Sequence, residues 1–251
     1  MTLRYGSREV EAVLFDLDDV LVPFQTPSAW QWAWRPQGPV LGDRRVKAVV
    51  RRSLKAWDRR RWQGLTGKAP PADLDALRSH LADTLSTLAG HALPPTETEA
   101  VVRRFLRPAG EVERYDDAFR VLERLRAGGV KAGIITPLPA ESARWLLHRT
   151  GLPESLLLGS GDGPGPVVPD KAALRAATQA LGATPDRVAY VGDLFWSDVR
   201  AAARAGLAAV LLDRHDAWPK VLTGRLTTLD VLEATLATGG SPSESVGADG
   251  G

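Results

Sequence analysis

Two rhythms of apolar residues divide this chain. Near the N-terminus, VEAVLF (10–15) is a short β-favouring apolar run that passes straight into DLDDVLV. Such a run, bounded by polar residues, predicts a buried strand. Similar strands are expected at VKAGIIT, which ends at Thr136, at LLLG, at RVAYVGD, which ends at Asp193, and at AAVLLD. Between them lie helical patterns at 116–127, stopped by Gly128-Gly129, at 139–150, at 170–181, and at SDVRAAARA, stopped by Gly206. Strands alternating with helices predict an α/β fold: a parallel sheet with right-handed crossovers and helices on both faces.

The segment between the first strand and residue 110 follows another rule. Val46, Val50, Leu54 and Trp57 fall on one stripe of an amphipathic helix starting at Asp43, which is placed to cap it. Arg44, Arg45, Lys47, Arg51, Arg52, Lys55, Arg59 and Arg60 occupy its other faces. Leu74, Leu77, Leu81, Leu85 and Leu88 mark a second helix over 72–89, and TETE opens a third over 96–106. The stretch PFQTPSAWQWAWRPQGP before them reads as a loop. On an extended chain, the alternate spacing of Trp30, Trp32 and Trp34 puts all three on one side. The expected organisation is an α/β core built from 1–22 and 113–236, an inserted all-helical unit over 23–112, and a disordered tail over 237–251. The tail, TGGSPSESVGADGG, has too little apolar surface to order itself. No internal repeat is visible.

Charge sharpens this division. The 251 residues carry 32 Lys/Arg and 30 Asp/Glu, a net charge of only +2. Residues 24–110 alone hold 15 basic and 7 acidic side chains, so the insert is basic and the remainder acidic. That asymmetry draws anions toward the insert. With a net charge so small, a nucleic-acid partner is not expected, although the basic helix keeps that rival open. No apolar run approaches the roughly 20 residues that span a bilayer. The start lacks a signal peptide's apolar stretch. Cysteine is absent, which excludes disulfides, thiolate nucleophiles and thiolate-bound metals. A cytoplasmic, membrane-free protein is the expectation. The oligomeric state is open.

The candidate chemistry sits at strand ends, where parallel sheets bind ligands. Asp16 and Asp18 close the first strand, Thr136 the second and Asp193 a later one. Carboxylates brought together repel unless a cation joins them. Magnesium suits oxygen ligands beside a phosphate. Asp16 then reads as a nucleophile toward phosphorus and Asp18 as a general acid/base. The four histidines, His80, His91, His148 and His215, show no metal spacing and read as structural or surface residues. GSGDGPG (159–165) lacks the Lys-Ser/Thr ending of a phosphate-binding P-loop and reads as a flexible loop.

FDLDDVL, then GIIT, then VGDLFWSD resembles the haloacid dehalogenase superfamily of aspartate-nucleophile phosphotransferases. The resemblance runs from Val10 to about Leu236. The D-x-D signature is Asp16-Leu17-Asp18, the second signature is Thr136, and G-D-x-x-x-x-D is met by Gly192, Asp193 and Asp198. The resemblance implies a Rossmann-like core with a C1-type helical cap and Mg²⁺ held by Asp16, the Asp18 carbonyl and Asp193, with Asp198 in support. It implies an aspartyl-phosphate on Asp16, proton transfer by Asp18, and a phosphoryl hydrogen bond from Thr136. Relatives that break carbon–halogen bonds lack an acid at the Asp18 position, so phosphate-ester hydrolysis of a small metabolite is implied, with a phosphomutase as the alternative.

The family's third signature is a lysine, and Val168 falls at its usual position. Lys171, three residues on, is the candidate to balance the nucleophile's charge. This shift, and Pro137 after Thr136, keep open a catalytically weakened binding protein on the same fold. Trp30, Trp32, Trp34 and Trp196 are candidates to wall the substrate pocket, with packing between core and cap as the other reading.

Overall fold

The computed structural model describes residues 3–24, 27–34, 42–70, 72–106, 114–159, 170–221 and 224–238. The chain opens with a hairpin of β1 (Leu3–Tyr5) and β2 (Arg8–Val10), turned by Gly6 at φ +58°. β3 (Ala12–Phe15) follows and is buried throughout. Four helices come next: α1 (Pro27–Trp34), α2 (Asp43–Leu65), α3 (Leu74–Ala89) and α4 (Pro95–Leu106). The alternating part then runs α5 (Asp116–Ala127), β4 (Lys131–Ile135), α6 (Ala140–Thr150), β5 (Leu157–Gly159), α7 (Lys171–Ala180) and β6 (Val188–Gly192). A π-helical turn at Phe195–Arg200 leads into α8 (Ala201–Ala205), then β7 (Ala208–Leu212), β8 (Arg225–Leu226) and α9 (Leu232–Thr238).

Six strands form one parallel sheet in the order β5-β4-β3-β6-β7-β8. Alternation along β3 explains its place. Val13 and Phe15 pack on the face covered by α5 and α6, through Val121, Leu125 and Leu147. Ala12 and Leu14 pack on the opposite face against Leu174 of α7 and Val199 and Ala202 of the turn and α8. A strand apolar on both sides belongs in the middle of such a sheet. β3 therefore sits between β4 and β6, with Phe15 opposite Ile134 and Val191.

The helical insert packs by periodicity. Val46, Val50, Leu54 and Trp57 are buried, and all eight basic residues on the other faces of α2 are exposed. Leu77, Leu81, Leu85 and Leu88 of α3 are buried. Asp73 caps α3, accepting from Ala76 N–H at 2.8 Å. The expected cap of α2 is displaced: Asp43 is the first helical residue, and Gly42 stands at the cap position with no side-chain bond. A polar network of Ser53 with His80 and Thr84, each at 2.8 Å, joins α2 to α3 inside this packing.

The tryptophan segment is also corrected. Pro27–Trp34 is helical, not extended. Trp30 and Trp34 are one turn apart and both buried, as the i, i+4 spacing of a helix dictates. Proline is tolerated in the first helical turn, so Pro27 opens this helix without breaking it. At the C-terminus, α9 extends to Thr238, two residues into the segment expected to be disordered; 239–251 lie outside the described residues.

Candidate active site

The three central strands bring their ends to one place. Asp16 directly follows β3 and still donates its N–H to Val191 O at 2.9 Å. Its carboxylate Oδ1 accepts from Leu17 N–H at 2.8 Å. The chain then turns tightly. Leu21 and Val22 N–H bond to Leu17 O, and Asp19 adopts φ +56°, a conformation that Asp tolerates better than most residues. Asp19 Oδ1 accepts from Phe24 N–H at 2.9 Å, closing the turn. This turn directs Asp18 back over the strand ends. Thr136, just past β4 and fully buried, donates to Asp18 Oδ2 at 3.2 Å and accepts from Leu138 N–H at 3.2 Å. Asp18 Oδ1 is buried and has no hydrogen-bond partner among the described residues.

The loop after β6 completes the cluster. One carboxylate oxygen each of Asp16, Asp193 and Asp198 lies within 4.8 Å of the other two. Gly192 is required by this approach. A Cβ there would lie 2.6 Å from Asp198 Cβ and 2.8 Å from its Oδ2. Asp198 is fully buried, accepts from Leu194 N–H at 3.2 Å, and pairs with the buried Arg61 guanidinium at 3.2 Å.

So many buried acids in one place have an electrostatic consequence. Burial, then Asp198 and Asp18, push the Asp16 carboxyl well above the usual carboxylate range. Burial and Asp19 raise Asp18 to about 7, against the Thr136 hydrogen bond. Burial, then Asp198, Asp19 and Asp16, raise Asp193 likewise. Burial raises Asp198 despite Arg61. Burial opposes the charge on Arg61, but Asp198 and Asp16 more than offset it. The cluster therefore favours either protons or a further cation. Its oxygen-only donors and spacing fit a hard divalent ion.

A cavity opens between this cluster and the insert. It is lined by Asp16, Asp18, Asp193 and Pro137 from the core side and by Leu54, Trp57, Arg61 and Leu77 from α2 and α3. Its volume is about 30 Å³. That is far below what a bound metabolite needs. The insert is thus drawn down on the site. Asp58 of α2 holds it there by accepting from Trp196 N–H at 2.9 Å and Ser197 N–H at 2.7 Å.

Asp16, Asp18, Thr136, Asp193 and Asp198, all named from the sequence, meet here. The other candidates lie elsewhere. Lys171 is exposed in the first turn of α7, behind its cap Asp170, and does not line the cavity. Trp30 packs on Phe105 of α4 inside the insert, with ring centroids 4.3 Å apart and the planes tilted by 39°. Trp34 is buried and absent from the cavity lining, and the side chain of Trp32 lies outside what the structure describes. Trp196 packs against Phe195 and under Arg200 rather than into the cavity. The glycine-rich stretch lies outside the described residues beyond Gly159, as does Val168. His215, read as structural or surface, lies 3.7 Å from Asp19.

Asp58, Arg61 and Arg214 are the residues the sequence reading missed. Arg214 clasps the carbonyls of Asp19 and Val20 at 3.2 and 2.9 Å and pairs bidentately with Asp117. For Asp58 and Arg61 a signal existed. They lie one turn beyond Leu54 and Trp57, on the apolar stripe of α2, where an ion signals a buried partner.

Comparison with known proteins identifies the family. The model of the haloacid dehalogenase-like hydrolase family matches residues 10–206. The chain belongs to that family. Among curated members, it is 29% identical over 227 residues to a phosphoglycolate phosphatase from Rhodospirillum rubrum, covering 88% of this chain and 87% of that one. It is 31% identical over 148 residues to a phosphoserine phosphatase from Thermus thermophilus, covering 56% and 59%. The L-2-haloacid dehalogenase from Xanthobacter autotrophicus shares the fold, with a TM-score of 0.61 at 22% identity over 94% of this chain and 90% of that one. Membership in the haloacid dehalogenase-like family accounts for the parallel sheet and the helical insertion after its first strand. Among the described residues, no helix is long and apolar enough to cross a membrane.

Proposed function

We propose that this member of the family is a Mg²⁺-dependent phosphatase that hydrolyses a small phosphorylated metabolite through an aspartyl-phosphate. The observation that carries the reading is the convergence of Asp16, Asp193 and Asp198 within 4.8 Å, beside Asp18, which lines the same cavity and whose buried Oδ1 has no hydrogen-bond partner among the described residues. The names of the two curated relatives support the substrate class, since phosphoglycolate and phosphoserine are small phosphorylated acids.

Asp16, the Asp18 carbonyl and Asp193 would hold the ion, with Asp198 in support. Mg²⁺ would neutralise the crowded carboxylates and the phosphoryl oxygens. An Asp16 oxygen bonds to phosphorus as the bond to the leaving oxygen breaks, and Asp18 gives that oxygen its proton. In the second half, water attacks the phosphorus and passes a proton to Asp18, Asp16 departs, and inorganic phosphate is released. An Asp18 carboxyl raised to about 7 suits both directions of transfer near neutral pH. Thr136 holds Asp18 in line.

The insert, over 23–112, acts as a cap on a core formed by 1–22 and 113–236. It opens to admit substrate and closes to exclude water. The test is phosphate release from a panel including phosphoglycolate, phosphoserine and p-nitrophenyl phosphate. Release should stop with EDTA and return with excess Mg²⁺. Free phosphate distinguishes hydrolysis from a mutase, and no release from any ester refutes the reading.

A further inference from the structure

Five core carboxylates, Asp16, Asp18, Asp19, Asp193 and Asp198, gather at the strand ends, and Asp58 joins them from the insert. The lysine expected to balance the nucleophile is exposed on α7. Arg61 is 3% exposed, lines the cavity with Asp16, Asp18 and Asp193, and pairs with Asp198.

We propose that Arg61, carried by the insert, is the cation of this site, so that closing the insert delivers positive charge to a cavity where no described core residue of the lining supplies it. The inference rests on the phosphatase reading for its substrate class. It goes beyond that reading in moving an electrostatic role from the core to a mobile element.

Three features of α2 support it. Arg61 is three residues beyond Asp58, so both face the same side of the helix. Asp58 grips the backbone of Trp196 and Ser197, one residue short of Asp198, which fixes where the guanidinium arrives. The neighbouring Arg59 and Arg60 point to solvent, so the buried arginine is singled out by its phase on the helix and not by general basicity. Lifting α2 separates Arg61 from Asp198 and leaves the anionic cluster to the metal alone. A substrate phosphate entering the cavity meets Arg61 on the insert side and the metal ligands on the core side, and a planar guanidinium suits such an anion.

The test compares Arg61→Met, Arg61→Lys, Lys171→Met and Arg60→Met in full-length protein. Two readouts are used: turnover of p-nitrophenyl phosphate with Mg²⁺, and calorimetric titration with inorganic phosphate plus Mg²⁺. Arg61→Met should lower kcat by about 10²-fold or more, as for one lost electrostatic stabiliser. It should also weaken phosphate binding by about ten-fold or more, the equivalent of one paired charge. Arg61→Lys should recover part of both losses, and millimolar guanidinium should restore part of the Arg61→Met rate. Arg60→Met should match wild type, and Lys171→Met should cost less than Arg61→Met. If Arg61→Met fails to fold, Arg61→Lys carries the test, with a lowered kcat and weaker phosphate binding expected. Wild-type kcat and phosphate affinity in the Arg61 variants would overturn the inference while leaving the phosphatase reading intact. So would a larger loss in Lys171→Met. Absence of turnover in wild type with every ester of the panel would refute the phosphatase reading instead, and the phosphate titration would then decide the role of Arg61. Absence of both turnover and phosphate binding in wild type would overturn both.

Discussion

The strand-end loops of the sheet and the buried face of α2 meet across one small cavity, yet they are built in opposite ways. The loops are positioned by backbone. Strand register sets Asp16 beside the ends of β4 and β6, and hydrogen bonds from Leu17, Leu194 and Thr136 orient the carboxylates. The α2 face is positioned by side-chain phase alone, and its two ions are held by groups on the other body. The difference teaches how a site can be rigid in one half and separable in the other. In the proposed opening, the five core carboxylates would stay with the sheet, and Arg61 would leave with the insert together with Asp58.

Breaking the rigid half should have the largest effect. Asp16→Asn is expected to abolish turnover, and Asp18→Asn to lower kcat by about 10²- to 10⁴-fold, the range for a general acid/base. Initial rates of phosphate release check both, with circular dichroism showing that the fold persists. If Asp16→Asn kept its activity, the core would not supply the nucleophile.

The packing of the insert is next. Trp30→Ala removes a buried ring packed on Phe105 and should cost about 3–5 kcal/mol in urea unfolding. A loss below 1 kcal/mol would mean that Trp30 is not part of the core of the insert. The latch between the halves is weaker still. Asp58→Ala leaves the Trp196 and Ser197 N–H groups without their acceptor, at about 1–3 kcal/mol for each group that stays buried. If the insert lifts instead, water satisfies them. The Trp196 and Ser197 amides should then exchange hydrogen faster than in wild type, and unchanged exchange would remove Asp58 as the latch.

The smallest effect concerns pH. Burial, reinforced by Arg60, lowers His80 from 6.5 to about 4. Protonation is therefore easier in the unfolded chain. The unfolded state binds the extra proton between about pH 6.5 and pH 4, and stability falls as pH drops through that window. The stabilising contribution of neutral His80 is fully present above pH 6.5. Melting temperatures between pH 7.5 and 4 should fall less steeply in His80→Gln than in wild type. Equal slopes would place the acid sensitivity elsewhere.

Much of this molecule was legible from local pattern. The strands at 12–15, 131–135 and 188–192 and the helices at 43–65, 74–89 and 116–127 follow from periodicity. The acids of the site follow from their positions at strand ends. The tryptophan segment was misread because alternate aromatics in a Pro- and Gln-rich stretch look extended. Its helix is stabilised by packing on Phe105, which lies more than seventy residues away. Lys171 was favoured because it is near in sequence to the expected position, and nearness along a chain says little about which way a first-turn side chain points.

Composition and periodicity determined the class of fold, and three short motifs carried the resemblance to the family and named the acids of the candidate site, because each is a local pattern along the chain. The tertiary structure decided which of the described basic residues in the insert faces those acids. That choice depends on how α2 docks against the loop after β6, through bonds spanning about 140 positions from Asp58 to Ser197. A helix stripe tells which side is buried, and only the packed molecule tells what lies on the other side of it.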